Sequence, residues 1–459
     1  MLRSLALLVA LSVPVSGLAQ VTTVPQSQSQ IQLSFAPLVK QAAPAVVNIY
    51  ARRVVEARSP FADDPFFRNF FGDMQGRPRV QNSLGSGVIL SADGIVVSNY
   101  HVVGQATDIR VVLNDRREYA ARVLLADEES DLAILQLEEA EDMPFLDLRD
   151  SESVEVGELV LAIGNPFGVG QTVSSGIVSG LARTGTATGN GRGYFIQTDA
   201  PINPGNSGGA LIDTAGRLIG VNTSILTRSG GSNGIGFAIP SAMVQQFVTQ
   251  ARAGEIRFQR PWAGMTGQPV DADISDSLGL SLPGGIVVVQ MHEASPFAAA
   301  GLEPGDVILS VDGAPVNTPP EMIYRMSVRG IGAEAEVGFF RDGAVRTARV
   351  SMIAAPDSPP AERTTLGAQA VLPGLTLARI NPAISAELGL GTQAEGIVVL
   401  DPGPYGARAG LQAGDVILSI DGIEIISPTE VERILRRAAP RIQIDAQRGS
   451  RRLLLRFRV

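Results

Sequence analysis

The strongest constraint on the fold is an internal repeat in the C-terminal half of the chain. The segment Ala300–Gly313 is echoed almost residue for residue by Ala409–Gly422, and the copies lie 109 positions apart, from Gly305 to Gly414. Solenoid repeats are about 20–50 residues long, so this period predicts two copies of a small domain. A proline-rich stretch, 354–364, predicts the linker between a first copy over 260–353 and a second over 365–459.

The first 32 residues have the pattern of an export signal followed by a polar lead-in. Residues 1–19 combine the basic Arg3, a short apolar run and small residues ahead of a cleavage position after Ala19, which is typical of a secretory signal peptide. The apolar run is shorter than the ~20 residues that span a bilayer, which favours cleavage over a retained membrane anchor. Residues 20–32 are rich in Gln, Ser and Thr and predict a flexible segment.

Residues 33–255 predict a first domain built from many short strands. Brief aliphatic runs alternate with glycines from Ser83 to about Asn222, a pattern typical of an all-β barrel or sandwich. Pro240 to Gly254 has apolar residues at helical spacing and predicts a closing helix. A long loop, 54–82, carries five phenylalanines; these are too many for a solvated loop, and we expect them to contact a neighbouring subunit or cover an active site.

The composition excludes several classes of site and partner. The chain has no cysteine, so disulfides, zinc–thiolate sites and cysteine nucleophiles are excluded. Its two histidines, His101 and His292, are too few for a His-rich metal centre, and we expect neither a metal nor a cofactor. The net charge of −9 argues against nucleic acid as a partner. No glycine-rich phosphate loop with a lysine is present, so ATP is not expected either.

A glycine-rich turn carries the candidate nucleophile. In Asn203-Pro-Gly-Asn-Ser207-Gly-Gly the glycines allow backbone angles and close approaches that a Cβ would forbid. Such a turn exposes a serine and aims the N–H groups of Gly205 and Ser207 at one point, where they stabilise an oxyanion. On this segment alone, an ordinary glycine-rich turn explains the pattern equally well.

Two further residues complete a candidate triad. His101 is the only histidine before the repeats, so it is the available base for a nucleophilic Ser207. Asp131 immediately precedes an apolar strand, where a carboxylate can accept the other imidazole N–H; Asp127 and Asp199 are rival candidates. The chain order His, Asp, Ser differs from that of α/β-hydrolases, in which the histidine follows the serine.

Together with their flanking residues, these motifs resemble the bacterial periplasmic HtrA family of serine proteases, of the DegP/DegQ (Do-like) type. The resemblance extends from about Ser34 to Val459 and rests on segments 84–89, 98–102, 130–135, 164–168, 197–211 and 234–240. It implies a mainly β fold, with a trypsin-like double β-barrel protease domain followed by two PDZ domains. It also implies the roles of base, orienting carboxylate and nucleophile for His101, Asp131 and Ser207.

The resemblance also implies residues that bind substrate. Ile202, Leu226 and Ile235 match the walls of a specificity pocket, and three aliphatic walls suit a small apolar side chain; core packing is the alternative interpretation. The remaining candidates belong to the strand that pairs with the substrate backbone and to the turn beside it: Thr223, Ser224, Ile225, Thr227 and Asn206. Arg183 resembles a loop arginine that relays PDZ occupancy to the catalytic loops.

As PDZ domains, the repeats are expected to bind peptides by β-strand addition. In the first repeat, the loop that captures a C-terminal carboxylate through backbone N–H groups is matched by Ala263, Gly264, Met265, Thr266 and Gly267. In the second repeat, Leu372–Thr376 is the corresponding stretch. His292 does not fall at a helix start, where some PDZ domains use a histidine.

The expected function is ATP-independent proteolysis of unfolded or damaged envelope proteins in the periplasm, as part of the stress response and protein quality control. The resemblance also allows a chaperone activity. The expected partners are unfolded polypeptides with exposed C-termini and further copies of the chain, in a homotrimer or a multiple of it. The alternative is a non-catalytic PDZ scaffold or chaperone with a vestigial protease domain, and an exported esterase is disfavoured by the order of the triad residues.

Overall fold

The computed structural model describes residues 34–55, 79–165, 170–184, 194–203, 205–225, 234–436 and 441–458. The predicted signal peptide and lead-in, most of the phenylalanine-rich loop, Leu226 and Thr227 lie outside these residues. Within the described ranges, no helix is long and apolar enough to span a membrane.

The first half of the N-terminal domain is a closed barrel. Its strands are β1 (Val46–Val55), β2 (Arg79–Ile89), β3 (Ile95–Ser98), β4 (Asp108–Val112), β5 (Glu118–Asp127) and β6 (Leu132–Leu137), with helix α1 (Ala36–Ala42), a 3₁₀ turn (Ala43–Ala45) and helix α2 (Tyr100–Val103). They pair in the order β1-β2-β3-β6-β5-β4. Successive side chains point to opposite faces of a strand. Val47 and Ile89 therefore lie in a cluster confined to this barrel, whereas Val46 and Val88 join one shared with the next barrel.

A second closed barrel follows. Its strands are β7 (Leu159–Gly164), β8 (Thr172–Thr184), β9 (Tyr194–Thr198), β10 (Ala210–Ile212), β11 (Leu218–Ile225) and β12 (Gly236–Pro240), preceded by a 3₁₀ turn (Ser151–Ser153) and followed by helix α3 (Ser241–Arg252). The order is β10-β11-β12-β9-β8-β7. Helix α3 has Pro240 at its N-cap and buries Val244 and Phe247 in the cluster between the barrels. The closing helix predicted from sequence is therefore present.

The first repeat folds into one antiparallel sheet covered by helices. Its strands are β13 (Met265–Pro269), β14 (Ile286–Met291), β15 (Val307–Val311), β16 (Ala314–Pro315), β17 (Glu334–Arg341) and β18 (Ala344–Ser351), and its helices are α4 (Ala272–Leu278), α5 (Pro296–Ala299) and α6 (Pro319–Arg329). The order is β13-β14-β15-β17-β18, with β16 on β15. Phe297 and Met326 are fully buried in its core.

The second repeat has the same topology with one strand added. Its strands are β19 (Thr364–Thr365), β20 (Thr376–Arg379), β21 (Ile397–Asp401), β22 (Val416–Ile420), β23 (Ile423–Glu424), β24 (Arg441–Arg448) and β25 (Arg451–Arg458), and its helices are α7 (Pro382–Leu388), α8 (Gly403–Arg408) and α9 (Pro428–Leu435). The order is β19-β20-β21-β22-β24-β25, with β23 on β22. Strands β20 to β25 correspond in order to β13 to β18, as the sequence repeat predicts, and β19 is the addition.

Helix α6 of the first repeat packs against the barrel domain. Tyr324 stacks on Tyr194 with 3.8 Å between ring centroids, and its hydroxyl donates to Glu152 Oε1 at 2.8 Å. Arg325 pairs with Glu152 and donates to the Tyr194 hydroxyl at 2.8 Å. Burial raises the pKa of Tyr194 to about 12 and raises the pKa of Tyr324 as well. Both phenols are therefore held neutral in this contact.

Candidate active site

His101 lies on the short helix α2, directly after strand β3. Asn99 occupies the N-cap of this helix, and the next residues, Val102 and Val103, are buried in the cluster of the first barrel. These two valines fix the helix on the first barrel, while 51% of the His101 side chain remains exposed. This arrangement fixes an imidazole that is still accessible to a substrate.

Asp131 lies in the turn between β5 and β6, beside His101. Its φ of 52° is in the left-handed region, which aspartate adopts more readily than most residues. His101 Nδ1 is 2.9 Å from each carboxylate oxygen, and the backbone N–H of His101 donates to Asp131 Oδ1 at 3.0 Å. The carboxylate thus orients the imidazole and favours the tautomer with its proton on Nδ1, which leaves Nε2 as a proton acceptor.

The two rival carboxylates bind other groups. Asp199 accepts the backbone N–H of Ile177 at 2.7 Å. Asp127 accepts the backbone N–H of Ser130 at 2.7 Å and the Arg260 guanidinium at 3.2 Å. Sequence reasoning missed the Arg260 contact, which ties the segment ahead of the first repeat to the turn that holds the candidate aspartate. A pairing across 133 positions leaves no local signal in the sequence.

Thr223, expected as part of the substrate strand, lies between Asp131 and Ser207. Its hydroxyl donates to Asp131 Oδ2 at 2.5 Å, and its carbonyl oxygen accepts the Ser207 hydroxyl at 2.9 Å. Among the described residues, Ser207 makes no hydrogen bond to His101. The Ser207 hydroxyl is therefore turned toward Thr223, and it must rotate about its Cα–Cβ bond before the imidazole can take its proton.

The turn that ends at Ser207 contains the two backbone N–H groups expected to form an oxyanion hole. Gly205 has φ 97°, a conformation that glycine adopts without strain, and the turn closes through the Asn206 N–H, which donates to the Asn203 carbonyl at 3.0 Å. The N–H groups of Gly205 and Ser207 have no acceptor within the described ranges. Two unpaired N–H groups beside a serine are what stabilisation of a tetrahedral oxyanion requires.

The candidate specificity pocket is described only in part. Ile202 is 1% exposed and belongs to the apolar cluster inside the second barrel. Its Cδ1 lies 2.7 Å from the position that a Cβ on Gly236 would take. Ile235, the neighbour of Gly236, packs against the cluster between the barrels. Both isoleucines therefore adjoin the start of β12, while Leu226 lies outside the described residues.

The other candidate substrate-binding residues are divided between a strand end and a buried turn. Ser224 and Ile225 end strand β11, and Thr227 lies outside the described residues. Asn206 is 1% exposed, with its Oδ1 only 2.4 Å from the position a Cβ on Gly164 would take. The Asn206 side chain therefore packs against Gly164, away from solvent.

The loop of the first repeat that matches a carboxylate-binding loop is ordered by backbone contacts. The Trp262 N–H donates to the Ile353 carbonyl at 2.8 Å, and the Gly264 carbonyl accepts the His292 N–H at 2.8 Å. Gly264 has φ 64°, and strand β13 begins at the next residue. Arg183 lies far from this loop in sequence, in strand β8 opposite Phe195.

Comparisons with known proteins place the chain in a family. Family models match a trypsin-like peptidase domain over residues 85–221 and PDZ domains over residues 248–352 and 396–448. The solved structure of the HtrA-type protease AlgW with decapeptide is 40% identical, with a TM-score of 0.53, covering 72% of this chain and 100% of that one. The periplasmic pH-dependent serine endoprotease DegQ of Escherichia coli (strain K12) is 35% identical over 463 residues, which is 100% of this chain and 99% of the relative. The chain belongs to the HtrA family of serine endoproteases.

A further relative supports the same assignment. The probable periplasmic serine endoprotease DegP-like protein of Halomonas elongata is 38% identical over 427 residues, covering 87% of each chain. The predicted fold class, two barrels followed by two PDZ domains, and the predicted serine endoprotease class are confirmed. The first and second repeats are called PDZ1 and PDZ2 below.

Proposed function

We propose that this HtrA-family protease hydrolyses peptide bonds with Ser207 as nucleophile, His101 as general base and Asp131 as the carboxylate that orients the base. The observation that carries the proposal is the continuous set of contacts from His101 through Asp131 and Thr223 to Ser207, each no longer than 2.9 Å. A serine, an imidazole and a partly buried carboxylate in this arrangement support acyl transfer.

The reaction proceeds in two steps. The Ser207 hydroxyl attacks the scissile carbonyl carbon, its proton passes to His101 Nε2, and the N–H groups of Gly205 and Ser207 stabilise the oxyanion. The protonated imidazole then gives this proton to the leaving amine. Water attacks the acyl-enzyme with His101 again as base, which releases the second product.

The proposed specificity follows from the three aliphatic residues that match the walls of a specificity pocket. Ile202 and Ile235, together with Leu226, favour cleavage after Val, Ala or Ile. One additional methylene in such a pocket changes discrimination by only about 1–3 kcal/mol, so the preference is graded. We propose that Thr223, Ser224, Ile225 and Thr227 pair with the substrate backbone.

The proposed setting is the periplasm, and the proposed substrates are unfolded or damaged envelope proteins with exposed C-termini. The names of the relatives support the location, and the PDZ domains supply a means of binding extended chains. No ATP, nucleic acid or cofactor is needed for this hydrolysis. We propose a trimer-based assembly, Arg183 as a regulatory residue, and the domain limits 33–255, 260–353 and 365–459.

Digestion of unfolded casein tests the proposal. Ser207→Ala should lose activity by a factor on the order of 10⁶, because triad members act as a unit, while its folding and oligomer size on a sizing column stay unchanged. Ser241→Ala is the matched control, since Ser241 is a buried serine at the start of α3 whose hydroxyl binds the Arg149 carbonyl. We expect this control to digest casein like the wild type.

Substantial casein digestion by Ser207→Ala would contradict the assigned nucleophile. Inactivity of the wild type itself, in a correctly assembled protein, would favour the non-catalytic scaffold. Family membership and the intact set of His101, Asp131 and Ser207 favour the protease.

A further inference from the structure

Ser86, in the glycine-rich motif of strand β2, contacts the turn that carries the proposed nucleophile. Its side chain is fully buried. The Ser86 hydroxyl donates to the Gly205 carbonyl oxygen at 2.6 Å, across 119 positions of sequence. The Ser86 backbone N–H donates to the Ser207 carbonyl oxygen at 2.9 Å. One residue of the first barrel therefore binds the turn of the second barrel at two points.

These two points flank one peptide unit. The Gly205 carbonyl precedes Asn206, and the Ser207 carbonyl follows the N–H that we assign to the oxyanion hole. Fixing both carbonyls restricts rotation of the peptide between Asn206 and Ser207, and thereby the direction of its N–H. The turn has little other freedom to adjust here, because a Cβ on Gly208 would lie 2.1 Å from the Ser86 carbonyl oxygen.

Ser86 is itself held in place from two sides. Its hydroxyl oxygen accepts the Asn165 backbone N–H at 2.8 Å, and its carbonyl accepts the Ser98 hydroxyl at 2.8 Å. Asn165 belongs to the segment 164–168, and Ser98 lies just ahead of helix α2. The Ser86 hydroxyl thus acts as both donor and acceptor, and it joins strand β2 to the Gly205 turn and to Asn165.

We infer that Ser86 is a positioning residue for the oxyanion hole, acting through the Gly205 and Ser207 carbonyls. This rests on the proposed roles of Gly205 and Ser207. A donor aimed in advance at the developing oxyanion lowers the barrier, since no reorganisation is needed during the reaction. Without the Ser86 hydroxyl, the Gly205 carbonyl and the buried Asn165 N–H both lose this partner, and the turn is free to reorient.

The test compares Ser86→Ala with Ser241→Ala in the full-length protein, using a short chromogenic peptide with valine at the cleaved position. Loss of an entire oxyanion donor costs about 10²–10³ in kcat; for a displaced donor we expect Ser86→Ala to lower kcat about 10–100-fold. KM should change by no more than about twofold, because ground-state binding is retained. Ser241→Ala should keep the wild-type kcat.

A peptide boronate of the same sequence separates positioning from general loss of stability. Its tetrahedral adduct on the proposed nucleophile presents an oxygen to the oxyanion donors, so its affinity for Ser86→Ala should fall by the same factor as kcat. The affinity for the product peptide should not change. If kcat falls while boronate affinity is retained, or if Ser86→Ala and Ser241→Ala have equal kcat, the inference is wrong.

Ser86→Cys covers the case in which Ser86→Ala does not fold. The thiol has a similar volume and is a weak donor, so its losses in kcat and boronate affinity should lie between those of wild type and Ser86→Ala. Wild-type kcat in Ser86→Cys would overturn the inference when Ser86→Ala is unfolded. Residual casein digestion by Ser207→Ala would instead show that the proposed nucleophile is wrong, which keeps the two failures distinct.

Discussion

The two PDZ domains share a topology but differ at the edge where a peptide strand would add. In PDZ1, strand β13 pairs with β14 alone among the described strands, so its other edge is open. In PDZ2 the equivalent strand, β20, lies between β21 and β19, with Thr364 opposite Leu377 and Thr365 opposite Thr376. In PDZ2 the chain's own linker therefore occupies the place that a bound peptide would take in PDZ1.

The cover over β20 extends beyond the two residues of β19. The Ala361 carbonyl accepts the Arg379 N–H at 2.7 Å, and Leu366 exchanges hydrogen bonds with Gly374 and Leu375, both at 2.9 Å. An edge strand binds peptides through these same backbone groups. We therefore expect PDZ1 to bind peptides and PDZ2 to be closed by its own linker, although both derive from the same repeat.

The helices that flank the two edges differ as well. In α6 of PDZ1, Tyr324 and Arg325 contact the protease domain through Tyr194 and Glu152. In α9 of PDZ2, the position equivalent to Tyr324 is held by Arg433, which is exposed and pairs only with Glu430 of its own helix among the described residues. One repeat therefore serves as an open, docked module and the other as a closed one.

Removing the docking aromatic should have the largest effect on stability. Tyr324→Ala removes a buried ring and its stacking on Tyr194, and large-to-small changes of this kind cost about 3–5 kcal/mol. Arg433→Ala, at the equivalent exposed position of PDZ2, should stay within about 0.5 kcal/mol of wild type. Calorimetry of the full chain should show a lower PDZ1 transition for Tyr324→Ala alone. Equal transitions in the two variants would show that the helices do not differ in docking.

Loosening the cover of PDZ2 should have the next largest effect. Leu366 is 2% exposed in the PDZ2 core, so Leu366→Ala should destabilise PDZ2 by about 3 kcal/mol. Gly367→Ala is the control, because a Cβ there meets nothing within 4 Å. We expect the PDZ2 transition to fall only in the first variant. An unchanged transition in Leu366→Ala would mean that the segment is not bound to PDZ2.

Peptide affinity should depend on the candidate carboxylate-binding loop of PDZ1 and not on the equivalent loop of PDZ2. Gly264→Ala places a Cβ 2.7 Å from the Trp262 ring at φ +64°, so we expect affinity for a peptide with an apolar C-terminus to fall about tenfold or more. Gly374→Ala, at the equivalent position of PDZ2, should not change it. Titration calorimetry should give one peptide per chain in wild type, with no heat from an amidated peptide. Two sites in wild type would contradict a closed PDZ2.

Alkaline pH should weaken the contact between PDZ1 and the protease domain, with a smaller effect than these substitutions. The pKa of Tyr194 is raised to about 12 by burial. Tyr194 therefore holds its phenolic proton more tightly when PDZ1 is docked on the protease domain than when the two domains are separated. The docking contribution is therefore complete below about pH 10, the ordinary tyrosine value, and is lost as pH rises toward the raised value. Spectroscopic titration of tyrosinate should show two late-ionising tyrosines in wild type and one in Tyr324→Phe. Titration of every tyrosine near pH 10 would contradict the docked arrangement.

Local patterns and family resemblance predicted the elements of this protein better than its long-range contacts. The repeat predicted two similar domains, and the motifs around His101, Asp131 and Ser207 predicted residues that the fold brings into one site. The sequence did not reveal that Thr223 links Asp131 to Ser207, because that contact joins separate barrels. Nor did it reveal that Ser86 binds the Gly205 carbonyl, since a serine between glycines carries no partner in its pattern.

The sequence also did not predict that PDZ2 is closed at the edge where PDZ1 is open. The segment around Thr365 is short and polar, and only its place beside β20 shows that it is a strand. The linker was predicted at 354–364, and its end continues directly into β19. Strand addition by such a short segment depends on the edge it meets, which local sequence does not encode.

We propose that Ser207, activated by His101, carries out proteolysis, and covalent labelling of Ser207 is the decisive test. A peptidyl phosphonate ending in valine should modify the wild-type chain once, and mass spectrometry should locate the modification on Ser207. The rate of labelling should fall by several orders of magnitude in His101→Ala, because the imidazole must take the serine proton. Modification of a different residue, or equally fast labelling without His101, would contradict the roles proposed for Ser207 and His101.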